Sequence, residues 1–369
     1  MNCNLLHIVF TVCFVSCSLF GQSENQINES KIKYYNGDLF LLEGSAFTND
    51  VKENRYQRLP DKYHGKVRDL VWDLSKCSSG MSVRFFTNST CIYVKWSVVN
   101  SSIANRNHMA ATGVKGADLY FKNGKEWQYV NTARPNGKDF EELLVENMDG
   151  KRKEFRLYLP LYIELTDIQI GVEESCKIEK AVQDSGKPIV FYGTSITQGG
   201  CASRPGMAHT NIISRKTGIE CINLGFRGNG KMEPELAELI REIDAEFYVI
   251  ECLPNMTKQE VLERISPFME ILREKRKNTP VVFVENLIYE KSYLDNKIMQ
   301  SISEKNLALK GEFKKLKNDG FKNIYYMAGK NALGKDHEAT VDGTHLTDLG
   351  FLRYADFLIQ NLNKYKLLQ

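Results

Sequence analysis

The stretch Pro188-Ile189-Val190-Phe191-Tyr192-Gly193-Thr194-Ser195-Ile196-Thr197-Gln198-Gly199-Gly200 decides how the chain is read. Its opening apolar run has the pattern of a parallel strand buried on both faces. Gly193 stops the run and lets the backbone turn sharply. Ser195 therefore falls just past the strand's carboxyl end, the edge at which open α/β sheets bind ligands. A serine there is a candidate nucleophile if a base and an oxyanion hole lie elsewhere in the chain. Standing alone, it would read as a turn or helix-cap serine.

Outward from this stretch, the two halves of the chain differ in pattern. Beyond Lys187, apolar runs alternate with helix-period segments. Strands are expected at 189–192, 220–224, 245–251, 280–285 and 323–327, and helices near 208–217, 234–243, 259–277, 292–319 and 350–365. That alternation predicts a parallel sheet with helices on both faces. In the third of these helices Val261, Ile265, Phe268 and Leu272 form an apolar stripe for the core. Before the stretch, short runs rich in Val, Ile, Tyr, Phe and Trp are expected as strands at 67–74, 81–86, 91–99, 117–121, 127–132, 155–161 and 165–172. Turn signals such as Ser78-Ser79-Gly80, Asn123-Gly124 and Asp149-Gly150 separate them. A further strand-like run covers 38–42, and a helical interruption is expected near 140–147. The expected architecture is an all-β sandwich, jelly-roll-like, over 22–180, then a three-layer α/β domain over 181–369. Residues 176–187 read as the linker.

The chain has 369 residues, enough for about two domains. Lys and Arg number 49 against 46 Asp and Glu, with no basic run, which argues against a nucleic-acid partner. The apolar run 5–20 is short for a membrane span and reads as part of a leader, 1–21, cleaved after Gly21. The protein is therefore expected to be exported, periplasmic or secreted, with no membrane span in the mature chain. Cys17, after Val15-Ser16, offers lipid anchoring as an alternative. Of the nine cysteines, Cys3, Cys13 and Cys17 lie in the leader. Cys77, Cys91, Cys176, Cys201, Cys221 and Cys252 show no zinc spacing. In an exported protein some could pair, although Cys221 and Cys252 fit buried thiols equally well.

Three further segments follow strand ends in the second half, so they should meet Ser195 at one edge of the sheet. Asn223-Leu224-Gly225-Phe226-Arg227-Gly228-Asn229-Gly230-Lys231 is a glycine loop whose N–H groups can face an anion or oxyanion. It nearly matches a phosphate loop, but Met232 stands where a Ser or Thr would hold Mg²⁺. In Leu253-Pro254-Asn255 the Asn255 amide supplies N–H donors for an oxyanion hole. Asp342-Gly343-Thr344-His345 puts a carboxylate and an imidazole three residues apart. Their bond would set the tautomer that points the far nitrogen at a serine. As metal ligands, Asp342, His345, Asp348 and nearby His337 match no known spacing, so no metal is expected.

Gly-x-Ser, a glycine loop, Asn and Asp-x-x-His, in that order, resemble the SGNH hydrolases, the GDSL esterase/lipase superfamily. The family's serine block is similar to Gly193-Thr194-Ser195-Ile196-Thr197. Its glycine block is similar to Gly225-Phe226-Arg227-Gly228-Asn229, with Gly228 at the oxyanion position. Leu253-Pro254-Asn255 and Asp342-Gly343-Thr344-His345 resemble its last two blocks. Thr194 stands where the family usually has Asp, and Asn255 lacks its usual preceding Gly. In the front half, Gly116-Ala117-Asp118-Leu119-Tyr120 resembles the Gly-x-Asp-Leu-Tyr signature of a β domain that precedes one branch of these esterases in exported bacterial proteins.

The resemblance implies acyl-ester hydrolysis without metal or organic cofactor. Ser195 would be the nucleophile, His345 the base and Asp342 its orienting carboxylate. The oxyanion would be held by the N–H groups of Ser195 and Gly228 and by Asn255. The substrate expected is a small acyl ester, acetyl foremost, on a small molecule or polysaccharide. His108, in the polar loop 105–109, and Asn229 are candidate substrate contacts. Trp127 and Tyr129 could stack on sugars, although strand core is the favoured place for both. The rival readings are a non-catalytic carbohydrate-binding surface protein and an acyltransferase or lipase using the same triad.

Overall fold

A computed structural model describes residues 31–100 and 106–368. The leader-like run, Cys17 and Asn105 lie outside the described residues. The front half contributes strands β1 (Ile32–Asn36), β2 (Leu41–Glu43), β3 (Ser82–Thr87), β4 (Ile92–Val98), β5 (Ala117–Asn123), β6 (Glu126–Ala133), β7 (Asp139–Val145), β8 (Lys153–Tyr158), β9 (Leu165–Glu173) and β10 (Ile178–Lys180). It also holds helices α1 (Asp69–Ser75) and α2 (Ala111–Lys115). The strands form two antiparallel sheets, one ordered β1-β9-β4-β7 and the other β10-β3-β8-β5-β6, with β2 also on β3. Between them Val83, Phe85, Trp96, Phe155 and Ile170 make a dry core, the interior of a sandwich.

Three expectations for this half need correction. Residues 67–74 are not a strand. Val67, Val71, Trp72 and Ser75 are buried, and the last three lie on one face of α1. Apolar spacing in so short a run fits either period, and packing against the second half decides it. Residues 140–147 are not helical. Phe140 and Leu144 go inward from β7, which pairs antiparallel with β4. The stretch 176–187 is not wholly linker, because Ile178–Lys180 pairs with β3.

The second half adds strands β11 (Ile189–Gly193), β12 (Cys221–Gly225), β13 (Phe247–Glu251), β14 (Val281–Val284) and β15 (Ile324–Met327). Its helices are α3 (Ser195–Gln198), α4 (His209–Thr217), α5 (Pro234–Glu242), α6 (Lys258–Lys275), α7 (Asn296–Asn318) and α8 (Asp348–Lys364). The sheet is parallel, ordered β12-β11-β13-β14-β15. Every residue of β11, β12 and β13 is buried, as a sheet covered on both faces requires. One face packs with α5, α6 and α7, and also with Phe47, Leu59, Val71 and Trp72 of the front half. The other packs with α4 and α8, together with Val114, Leu161 and Tyr162. The parallel sheet is thus roofed in part by residues from before it. Each fully buried Val, Leu, Ile or Phe among them stabilises by about 1.5–3 kcal/mol.

Register aligns the site. Gly193 lies opposite Gly225 of β12 and Glu251 of β13. The chain leaves β11 toward β12 on one side and β13 on the other, so the strand order reverses beside β11. A crevice opens at such a switch point.

Candidate active site

Thr194 follows β11 and caps α3. Its side chain accepts from the Ile196 N–H, and Thr197 Oγ1 accepts from the Thr194 N–H at 3.2 Å. Ser195 is therefore the first residue of a fixed turn. Its carbonyl accepts from the Gly200 N–H at 2.7 Å and from the Tyr162 hydroxyl at 3.0 Å. Its Oγ lies 3.0 Å from His345 Nε2.

The His345 loop is held mainly by itself. Asp342 Oδ2 is 2.8 Å from His345 Nδ1, while Oδ1 accepts from the N–H groups of Thr344 and His345 at 3.0 and 2.8 Å. Gly343, with φ of +83°, makes this curl possible at no steric cost. The loop is closed by the Val341 N–H bond to the His345 carbonyl and by the Lys291 N–H bond to the Gly343 carbonyl. Burial raises the Asp342 carboxyl's pKa, but the His345 imidazole and backbone N–H groups outweigh it and hold the group below its ordinary range. The His345 and Asp342 side chains are 25% and 35% exposed, so the pair is open to solvent.

The glycine loop after β12 is gripped from outside. Gly230 packs on β11 so closely that a Cβ there would lie 1.9 Å from the Gly193 carbonyl oxygen. Arg58, buried beneath the loop, donates to the carbonyls of Asn223 and Gly225 at 3.1 and 2.7 Å, and to those of Leu74 and Cys77. Burial lowers the pKa of its guanidinium to about 10. Arg68 donates to Asn229 Oδ1 and to the Asn229 carbonyl at 2.7 and 2.9 Å, and is paired with Glu233. Gln198 Oε1 accepts from the Arg227 N–H at 3.0 Å. Asn255 spends one amide hydrogen on the Phe226 carbonyl at 3.2 Å, which leaves the other available. Among the described residues no acceptor takes the N–H of Ser195 or Gly228. Lys305 of α7 donates to the Leu253 carbonyl, steadying the asparagine turn, and burial pulls its ammonium down to about 8.

Beneath α3, Glu251 is buried yet fully engaged. It accepts from Thr197 Oγ1 at 3.0 Å and from the Tyr354 hydroxyl, and lies 3.2 Å from His209 Nε2. The capping turn that presents Ser195 thus rests on a buried carboxylate.

Of the residues singled out in the sequence, Ser195, His345 and Asp342 make one hydrogen-bonded line. Gly228 and Asn255 stand on the neighbouring loops. His108 comes from the front half to lie beside His345, with ring centroids 5.6 Å apart. Asn229 is already held at both ends of its amide, by Arg68 and by the Arg227 carbonyl. Asp348 accepts from the Ser203 N–H and hydroxyl, and His337 pairs with Glu290. Trp127 and Tyr129 are not strand core. Trp127 lies under Arg156, and Tyr129, 40% exposed, lies under Arg204. The six cysteines among the described residues are free thiols. Cys201 borders the site, and burial first, then Asp342, pushes its thiol up to about 12.

Sequence reading passed over Arg58, Arg68, Tyr162, His209 and Glu251. Only Glu251, a carboxylate ending an apolar strand, carried a local signal. The front-half signature has a physical role. Asp118, fully buried, accepts from Arg204 and the Gly206 N–H at 2.8 Å each, and the Tyr120 hydroxyl also meets Arg204. The motif fastens the β-sandwich to the chain just before α4.

Known proteins resemble the chain in sequence and in fold. The model of the GDSL-like lipase/acylhydrolase family matches residues 186–363, and the GxDLY model, the N-terminus of SGNH-hydrolase-type esterases, matches residues 32–178. A crystal structure from Bacteroides ovatus, assigned to the GDSL-like lipases, is 36% identical, with TM-score 0.88 over 92% of this chain and 99% of that one. A salicylyl-acyltransferase from a tetracycline biosynthetic pathway is 17% identical, with TM-score 0.73 over 91% and 98%. An acetyl xylan esterase from the rumen bacterium Butyrivibrio proteoclasticus is 12% identical, with TM-score 0.58 over 92% and 100%. These last two likenesses concern the fold alone. No curated protein sequence matches the chain.

Proposed function

This chain belongs to the GDSL-like lipase/acylhydrolase family, and on that premise we propose that it is a serine esterase removing small acyl groups, acetyl foremost, from carbohydrate hydroxyls. The observation that carries the reading is the line Ser195 Oγ, His345 Nε2, His345 Nδ1, Asp342 Oδ2, with links of 3.0 and 2.8 Å at the carboxyl edge of the sheet. His345 Nε2 takes the Ser195 proton as Oγ attacks the ester carbonyl. Asp342 holds the ring in the required tautomer and stabilises the imidazolium. The N–H groups of Ser195 and Gly228, with the free Asn255 amide hydrogen, face the oxyanion. His345 then protonates the leaving alkoxide, and the acyl group stays on Ser195. Water, deprotonated by His345, releases the acid and restores the serine.

A carbohydrate alcohol suits the rim of the site. Asp342 and Arg227 are exposed there, and His108 stands beside the imidazole, so polar groups surround the leaving side. The test is hydrolysis of p-nitrophenyl acetate and butyrate, followed by acetylated polysaccharides, with Ser195→Ala alongside. Acetate hydrolysis that disappears in Ser195→Ala is expected. Full activity in Ser195→Ala would overturn the proposal, and acyl groups appearing on an added sugar would redirect it to acyl transfer.

A further inference from the structure

We infer that His108, Cys201 and His345 form a site for a thiophilic divalent cation, Zn²⁺ foremost, and that its occupancy switches the esterase off. One ligand atom from each residue lies within 4.8 Å of the other two. Two imidazoles and a thiol are the donor set that zinc prefers, with solvent completing a tetrahedron. Small side-chain movements close the remaining distance. Cys201 is buried, with its backbone in the left-handed region at φ of +71°, and the cluster opens to solvent through the partly exposed His108 and His345. An ion can therefore enter, and the thiol proton leaves to solvent as it binds.

Inhibition follows from how His345 is already used, and this part rests on the esterase reading above. Nε2 is bonded to Ser195 and Nδ1 to Asp342. A metal held by either nitrogen must displace one of these bonds. Asp342 on Nδ1 is the outer-shell arrangement that orients a zinc-bound histidine, so Nε2 is the nitrogen expected to turn to the metal. Ser195 then loses its base. The three ligands come from distant parts of the chain, so no sequence spacing announces the site.

The test has two arms on the purified protein. Co²⁺ titration reads the site directly, because a thiolate ligand gives a thiolate-to-cobalt charge-transfer band. One equivalent with that band is expected in the parent and in Ser195→Ala, with no such band in Cys201→Ser and weaker binding in His108→Ala. In the second arm, Zn²⁺ inhibits p-nitrophenyl acetate hydrolysis and a chelator restores it. Cys201→Ser keeps the parent's turnover but raises the inhibition constant by about tenfold or more. A parent without the band, or inhibition unchanged in Cys201→Ser, overturns the site. A band without inhibition in an active enzyme overturns the switch. If the parent hydrolyses no ester, the proposed function fails while the cobalt arm still decides the site.

Discussion

The two loops that meet over Ser195 are built in opposite ways. The His345 loop is nearly self-sufficient: a carboxylate three residues from the imidazole bonds its ring and two backbone N–H groups, and a left-handed glycine permits the curl. The glycine loop depends on side chains far away in sequence. Arg58 holds its root, and Arg68 holds Asn229 from 161 residues away. The Asp342–His345 pair is thus a local product of the chain, whereas the glycine loop that carries Gly228 takes its position from the front half. The front half then supports the candidate site directly, since its loops also roof the sheet and place Tyr162 on the Ser195 carbonyl.

Breaking the local pair should have the largest effect. Asp342→Asn keeps the loop's shape but disturbs the tautomer, and kcat on p-nitrophenyl acetate should fall by about four orders of magnitude. A fall of only a few-fold would mean that another group orients His345. Among the proposed oxyanion donors, Asn255→Ala should lower kcat by about a hundredfold with KM little changed. Equal activity would remove Asn255 from the site.

The long-range grip should show a smaller loss. Arg68→Ala leaves both ends of the glycine loop in place but frees Asn229, and kcat should fall about tenfold, the equivalent of about 1.4 kcal/mol. Because the Arg68 side chain is 43% exposed, added guanidinium ion should restore part of the loss. No rescue, together with a loss confined to thermal stability, would make the contact merely structural.

The smallest effect concerns Lys305, beneath the asparagine turn. Burial depresses its pKa from 10.5 to about 8 in the folded protein. Between those values the unfolded chain binds the proton more tightly, so this group makes stability rise with pH across that window. Lys305→Met should therefore be more stable than the parent below pH 8. Its advantage, on the order of 1 kcal/mol with solvent screening allowed for, should shrink toward pH 10.5. Denaturant unfolding at pH 7 and pH 10 measures it. An advantage that does not change with pH would show that the lysine titrates normally.

The sequence made the chemistry readable where a few residues of unusual type sit at a strand end. Gly193-Thr194-Ser195 and Asp342-Gly343-Thr344-His345 depend mainly on contacts within a turn, and Pro254-Asn255 stands out by residue type at a strand end. The alternation of strand and helix after Lys187 was equally plain, because a sheet covered on both faces demands unbroken apolar runs. The stretch 67–74 was misread, since its apolar spacing fits a strand as well as a helix until Val71 and Trp72 pack on the parallel sheet. Residues 140–147 were misread for the converse reason. Glu141-Glu142 suits a helix in isolation, but Phe140 and Leu144 pack into the sandwich from an edge strand.

By itself, then, the sequence determined the α/β order, the serine turn and the Asp342–His345 pair, because contacts over three or four residues close almost no loop and follow from local geometry. Only the tertiary structure decided that Arg58 and Arg68 hold the glycine loop, that Asp118 locks Arg204, and that His108 and Cys201 stand beside His345. Those contacts span long loops whose closure is offset by burying apolar surface throughout both halves, so no short pattern in the chain records them.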